Sequence, residues 1–85
     1  MVVKRFAGWL LEASAGSFQR VDGTQTSVEY RCWVSNPGRS VVGYAVSHDS
    51  SRAAIAAALL DARECGADAA AVAGLERECG RPMGV

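Results

Sequence analysis

Hydrophobic and polar positions alternate most clearly in the middle of the chain. Val28, Tyr30, Cys32 and Val34 are separated by Glu29, Arg31 and Trp33. Successive side chains of a strand point to opposite faces, so this stretch predicts a strand with one apolar and one mixed face. Phe18 and Val21 lie before it, across Asp22-Gly23. That dipeptide predicts a hairpin turn, because glycine accepts positive φ without steric cost. Asn36-Pro37-Gly38-Arg39 breaks the strand, since proline fixes φ and has no N–H to donate. Ser40 to Ser47, rich in β-branched and aromatic residues, predicts a third strand. The short connections imply a three-stranded antiparallel meander.

The pattern then changes. Ser50 to Cys65 is dominated by alanine, with Ile55, Leu59 and Leu60. Alanine is the best helix former, and its small side chain lets a helix approach a sheet closely. Asp49 or Ser50 can cap the start, and Gly66 can take the left-handed position past the end. Asp68 caps a second helix to Cys79, in which Ala71, Val72, Leu75 and Cys79 share a side; Gly80 ends it and Pro82 prevents its return.

Val3 to Ser14 supports two readings. Val3, Ala7, Leu10 and Ser14 form a helical stripe, with Phe6, Trp9 and Ala13 beside it. A strand would place Arg5, Ala7, Trp9, Leu11 and Ala13 on one face. The stripe favours a short amphipathic helix, although Gly8 weakens either reading. The expected fold class is therefore α+β: the meander, the alanine-rich helix packed on one face, the C-terminal helix beside it, and a short N-terminal helix.

Length and charge narrow the function. Eighty-five residues, 49% of them hydrophobic, make one small domain with a real core. Nine basic residues balance nine acidic ones, so the basic excess of a general nucleic-acid binder is missing. No stretch approaches the roughly 18 apolar residues of a membrane span, and no secretory signal is expected at the N-terminus. Three cysteines are too few for a disulfide scaffold, which points to a reducing cytoplasm.

Candidate chemistry is sparse. Arg63-Glu64-Cys65-Gly66 recurs as Arg77-Glu78-Cys79-Gly80. Both copies fall where a helix must stop: arginine suits the negative end of the helix dipole, cysteine is expected to pack inward, and glycine is expected past the last turn in the left-handed conformation. Antiparallel helices would hold Cys65 and Cys79 roughly 17 Å apart, too far for a disulfide. Cys32, His48, Cys65 and Cys79 supply the count for a Cys₃His zinc site, but no two are close enough in sequence to make a knuckle. No metal or other cofactor is expected. His48, Asp49 and Ser50 are adjacent, which is the pattern of a helix start rather than triad geometry. Glu76 and Glu78 lie on different sides of a helix. No phosphate-binding glycine motif occurs, and no catalytic residues are assigned.

One aromatic remains. If Val28, Tyr30, Cys32 and Val34 face the helices, Trp33 shares the other face with Glu29 and Arg31. Tryptophan and arginine are common anchors of protein interfaces. The candidate partner-binding residues are Trp33, Arg31, Glu29 and, extending the face, Arg20. The competing expectation is that the N-terminal segment, with its own Trp9, covers Trp33.

The stretch from Ser27 to Gly66 resembles the strand–strand–helix core of a small anti-CRISPR family encoded by Pseudomonas phages. The resemblance rests on Val41, Val42, Gly43, Ala45, Asp49, Glu64 and Gly66. It implies a phage-encoded inhibitor that acts by protein–protein contact on a CRISPR effector in the host cytoplasm. It carries over no site residues. Read as helix, three strands, helix, the order also resembles the double-stranded-RNA-binding domain, with Ser50–Ala62 similar to its second helix. That family holds phosphates with lysines at this helix start, where this chain has Arg52 alone. The expected function is a non-catalytic protein-binding module, with duplex RNA binding as the alternative.

Overall fold

A computed structural model describes residues 1–19 and 26–80. Its elements are β1 (Val2–Phe6), β2 (Trp9–Gln19), β3 (Thr26–Ser35), β4 (Val41–Ser47), α1 (Ser51–Glu64) and α2 (Ala69–Cys79). The class is α+β as expected, but the sheet has four antiparallel strands in the order β1-β2-β3-β4. The expected N-terminal helix is absent. Its place is taken by a hairpin whose two-residue turn, Ala7 (φ 50) and Gly8 (φ 84), lies in the left-handed region. Two positive φ values match the twist of the flanking strands, and glycine takes one of them without strain. A helix-first element order, on which the likeness to RNA-binding domains rests, is therefore not the order of this chain.

The helical stripe has a simple origin. Across a two-residue turn, residues three apart become cross-strand partners on one face. Phe6 pairs with Trp9 and Lys4 with Leu11. Spacings of three and seven are also those of one helix face, so the hairpin mimics helical periodicity. The strand alternative was right for Trp9, Leu11 and Ala13, whereas Arg5 lies across the turn on the opposite face.

β2 and β3 pair from Leu10↔Ser35 to Gln19↔Thr26, which confirms a hairpin between them. The predicted Asp22-Gly23 turn and Arg20 lie outside the described residues. The register puts Leu11 opposite Val34 and Ala13 opposite Cys32, and all four are buried. Both helices pack on this face, α1 over β3 and β4, α2 over β1 and β2. They contribute Ala54, Ala58, Leu59, Ala62, Val72 and Leu75 to the core. The alanines of α1 allow a close approach. A Cβ built on Gly43 would lie 2.5 Å from the Ala58 carbonyl oxygen and 2.8 Å from the Ala62 Cβ. Gly74 of α2 likewise leaves room for the ring of Phe6.

Ser50 is the residue that caps α1, its Oγ accepting from the Ala53 amide at 3.0 Å. Asp68 caps α2 through the Ala70 amide at 3.3 Å. The repeated Arg-Glu-Cys-Gly does mark two helix ends, but they differ. At the first, Gly66 (φ 88) donates to the Arg63 carbonyl and Ala67 to the Ala62 carbonyl, the paired bonds of a Schellman motif. At the second, Gly80 (φ −82) stays right-handed and is the cap itself. Cys65 is exposed, contrary to the expected inward packing, whereas Cys79 is half-buried against the core. The arginines also diverge: Arg63 pairs with Glu76 at 2.9 Å, and Arg77 lies 5.7 Å from the Phe6 ring centre.

Both sheet edges are blunted. On β4 the Tyr44 amide donates to the Asp61 carboxylate at 2.9 Å, so one edge donor is already satisfied. On β1 Lys4 and Arg5 put like charges along the edge, which disfavours pairing with a second copy. Among the described residues no helix is long and apolar enough to cross a membrane.

Candidate functional site

With both helices on one face, the other face of the sheet is left open among the described residues. Strand alternation and register assemble it. Trp33 pairs with Glu12 on one side and Tyr44 on the other; Arg31 pairs with Ser14 and Val46; Arg5 pairs with Leu10, and Leu10 with Ser35. These side chains point away from the core because their neighbours Leu11, Cys32 and Val34 point into it and Gly43 abuts α1.

Trp33 is partly buried, and its ring meets Tyr44 at a centroid distance of 5.6 Å, tilted by 47°. Such a tilted pair is favourable and holds both rings in place. Along the same strand, Arg31 donates to Glu29 Oε2 from Nε at 3.2 Å and from Nη2 at 2.9 Å. Two residues apart on a strand share a face, so this pair follows directly from the alternation. The bond to Glu29 raises the Arg31 pKa further above its ordinary value. The N-terminal segment does not cover Trp33. It lies in the plane of the sheet as β1 and the first part of β2, with β2 paired edge to edge with β3.

The structure thus brings Trp33, Arg31 and Glu29 together as the alternation predicts, and Arg20 is outside the described residues. It adds Leu10, Glu12, Tyr44 and Val46. Tyr44 and Val46 carry a sequence signal, since they alternate with Gly43 and Ala45. Leu10 and Glu12 carry none once the N-terminal segment is read as a helix.

One end of the open face is concave. A groove of about 610 Å³ is lined by Arg5, Trp9, Leu10, Glu12, Pro37 and Arg39, together with Gly8, Ser35 and Asn36 of the two turns. Two turns build its wall. The β3–β4 loop is fixed by bonds from the Asn36 amide to the Ser40 carbonyl and from the Arg39 amide to the Asn36 carbonyl, both 2.9 Å, and from the Ser40 amide to the Asn36 side chain at 3.0 Å. Pro37 packs beside Gly8, where an added Cβ would sit 3.4 Å from the proline ring.

The titratable groups do not converge on a reaction centre. Among the described residues no polar or charged side chain is buried, and no three Asp, Glu, His or Cys residues are placed to hold a metal. His48 is exposed beside the cap of α1. Cys32 lies in the core, and burial pushes its thiol from 9.0 to about 12. Burial also raises Cys79, which lines a groove of about 310 Å³ between α1 and α2. A thiolate is the reactive form, so reactivity should follow exposure. Alkylation of the native protein should modify Cys65 first and Cys79 more slowly, with Cys32 protected until global unfolding. Mass spectrometry of timed digests checks the order, and native labelling of Cys32 at the rate of Cys65 would contradict its burial. The folded Cys32 thiol keeps its proton to a pH of about 12, while the unfolded thiol releases it near 9.0. Its stabilising contribution is therefore complete below pH 9 and lost as the pH rises toward 12. Cys32→Ser should remove that contribution from the alkaline limb of a denaturation series.

The chain matches no protein-family model, no curated protein and no solved structure, so the open face is read from its own geometry.

Proposed function

We propose that this domain is a non-catalytic module that binds a protein partner through the open face of its sheet. One observation carries the reading: both helices pack on the same side, leaving Trp33, Tyr44, Leu10 and Val46 on the other. Tyr44 and Val46 are 43% and 41% exposed, an apolar surface that a free monomer gains nothing by displaying. The Trp33–Tyr44 pair is an aromatic anchor of the kind that dominates interface energetics, and the hydrogen-bonded sheet holds it ready, so little conformational entropy is lost on binding. The Arg31–Glu29 pair forms a polar border. A polyanion is the poorer fit, because Glu12 and Glu29 share the face and the chain has no net charge.

The resemblance of Ser27–Gly66 to an anti-CRISPR core nominates a CRISPR effector as the partner and a phage as the source. Expression in a Pseudomonas strain with active CRISPR immunity tests this. Restored plating of a targeted phage, lost with Trp33→Ala, supports it; no restoration by the folded wild-type chain removes that partner. In a direct binding measurement Trp33→Ala should weaken affinity by about 2 kcal/mol or more, the size of a hot-spot loss. Its thermal midpoint should fall much less than that of a core truncation. Unfolding of the variant would instead make Trp33 a structural residue.

A further inference from the structure

We infer that the groove at the turn end of the open face seats an acidic stretch of the protein partner, with its carboxylates held between Arg5 and Arg39. This rests on the binding role of the open face and names the chemistry recognised there. Three observations carry it. Both arginines are exposed on the groove, and no ion pair or side-chain hydrogen bond of either guanidinium is seen among the described residues. Arg31, the neighbouring cation on the face, already holds Glu29. Second, the two arginines stand on well-fixed backbone. Arg5 is set by its pairing with Leu10, and Arg39 (φ 66) by the hydrogen-bonded Asn36–Ser40 loop packed on the first hairpin. Third, the lining is partly apolar, with Trp9, Leu10 and Pro37 beside the two arginines.

Guanidinium groups bind carboxylates through two parallel N–H donors, and little freedom is lost when the backbone beneath them is already held. With Glu12 as the one carboxylate in the lining, the groove carries two positive charges against one negative. A peptide can place separate acidic side chains on Arg5 and Arg39 and an apolar one on Leu10 while avoiding Glu12. A nucleic-acid backbone, with a charge at every step, has no such choice.

A random-peptide display library, selected in parallel on the wild type, on Arg5→Glu/Arg39→Glu and on Trp33→Ala, tests the inference. Circular dichroism first establishes that each variant is folded. The wild type should enrich peptides with two or more Asp or Glu several-fold over the starting library, and the charge-reversed variant should enrich Lys and Arg instead. A selected acidic peptide should bind Arg5→Glu/Arg39→Glu at least about tenfold more weakly, as loss of close charge pairs does. Enrichment without acidic bias, or the same peptides on the charge-reversed variant, overturns the inference. So does tighter binding of a short duplex RNA than of any selected peptide. Trp33→Ala separates the two levels. If it loses the peptides but they have no acidic bias, the groove assignment fails and the open face stands. If all three proteins select the same peptides, the open face fails as well.

Discussion

Gly43→Val should leave the domain unfolded or nearly so. Valine is a far better strand residue than glycine, so on local propensity the change should stabilise β4. The tertiary contact opposes this. The first added carbon meets the Ala58 carbonyl oxygen, the Ala62 amide nitrogen and the Ala62 Cβ at 2.5, 3.0 and 2.8 Å. Two of these atoms are backbone and cannot rotate away, so α1 must lift from the sheet. Overpacking typically costs about 1–3 kcal/mol when side chains can adjust. Here a whole helix must move, in a domain whose total stability is expected to be only about 5–15 kcal/mol. Far-UV circular dichroism with urea denaturation checks the result. Gly43→Ala should show the same defect in weaker form. A wild-type midpoint for Gly43→Val would mean that α1 does not lie over β4 as described.

Leu59→Ala should cost about 2–5 kcal/mol, as truncation of a buried leucine does. Leu59 is 4% exposed, and its helical neighbours in the core are Ala54, Ala58 and Ala62. Leu59 also lines the groove between α1 and α2 with Ile55 and Cys79, so its truncation widens that groove as well as loosening the core. The adjacent Leu60 is 54% exposed, and Leu60→Ala should change stability by less than about 0.5 kcal/mol. The contrast between neighbours tests the rotational setting of α1. Equal losses at the two positions would show that the helix is turned differently.

The open face shows what could be read in advance. Alternation alone puts Trp33, Arg31 and Glu29 on one side of a strand, and the structure places them there. Alternation could not say what lay over that side. A covering N-terminal helix would have buried Trp33, and a hairpin extending the sheet leaves it accessible. The difference rests on Ala7 and Gly8, two residues whose left-handed φ values reverse the chain. Leu10, Glu12 and Arg5 join the face only through that reversal. Arg39 meets Arg5 in one groove because both turns fall at the same end of the sheet, a consequence of strand register.

Three things were determined by the sequence itself. The period-two pattern of Val28 to Val34 specified a strand and the side to which Cys32 and Val34 turn, because side-chain direction on a strand is a local property, although Val28 on that side stays exposed. The alanine-rich run with Ser50, Asp68 and Gly66 specified two helices and most of their ends, because caps satisfy backbone groups within a few residues. The net charge is the third, nine basic residues against nine acidic ones, because it is a count of side chains. Tertiary structure decided the rest. The N-terminal hairpin imitates helical spacing, so only pairing of β2 with β3 separates the two. The paired Arg-Glu-Cys-Gly segments are identical in sequence yet end differently, with Cys65 in solvent and Cys79 against the core, because α1 and α2 meet the sheet at different places. The open face exists because both helices pack on the same side, and that choice depends on contacts such as Gly43 with Ala58 and Gly74 with Phe6, between residues far apart along the chain.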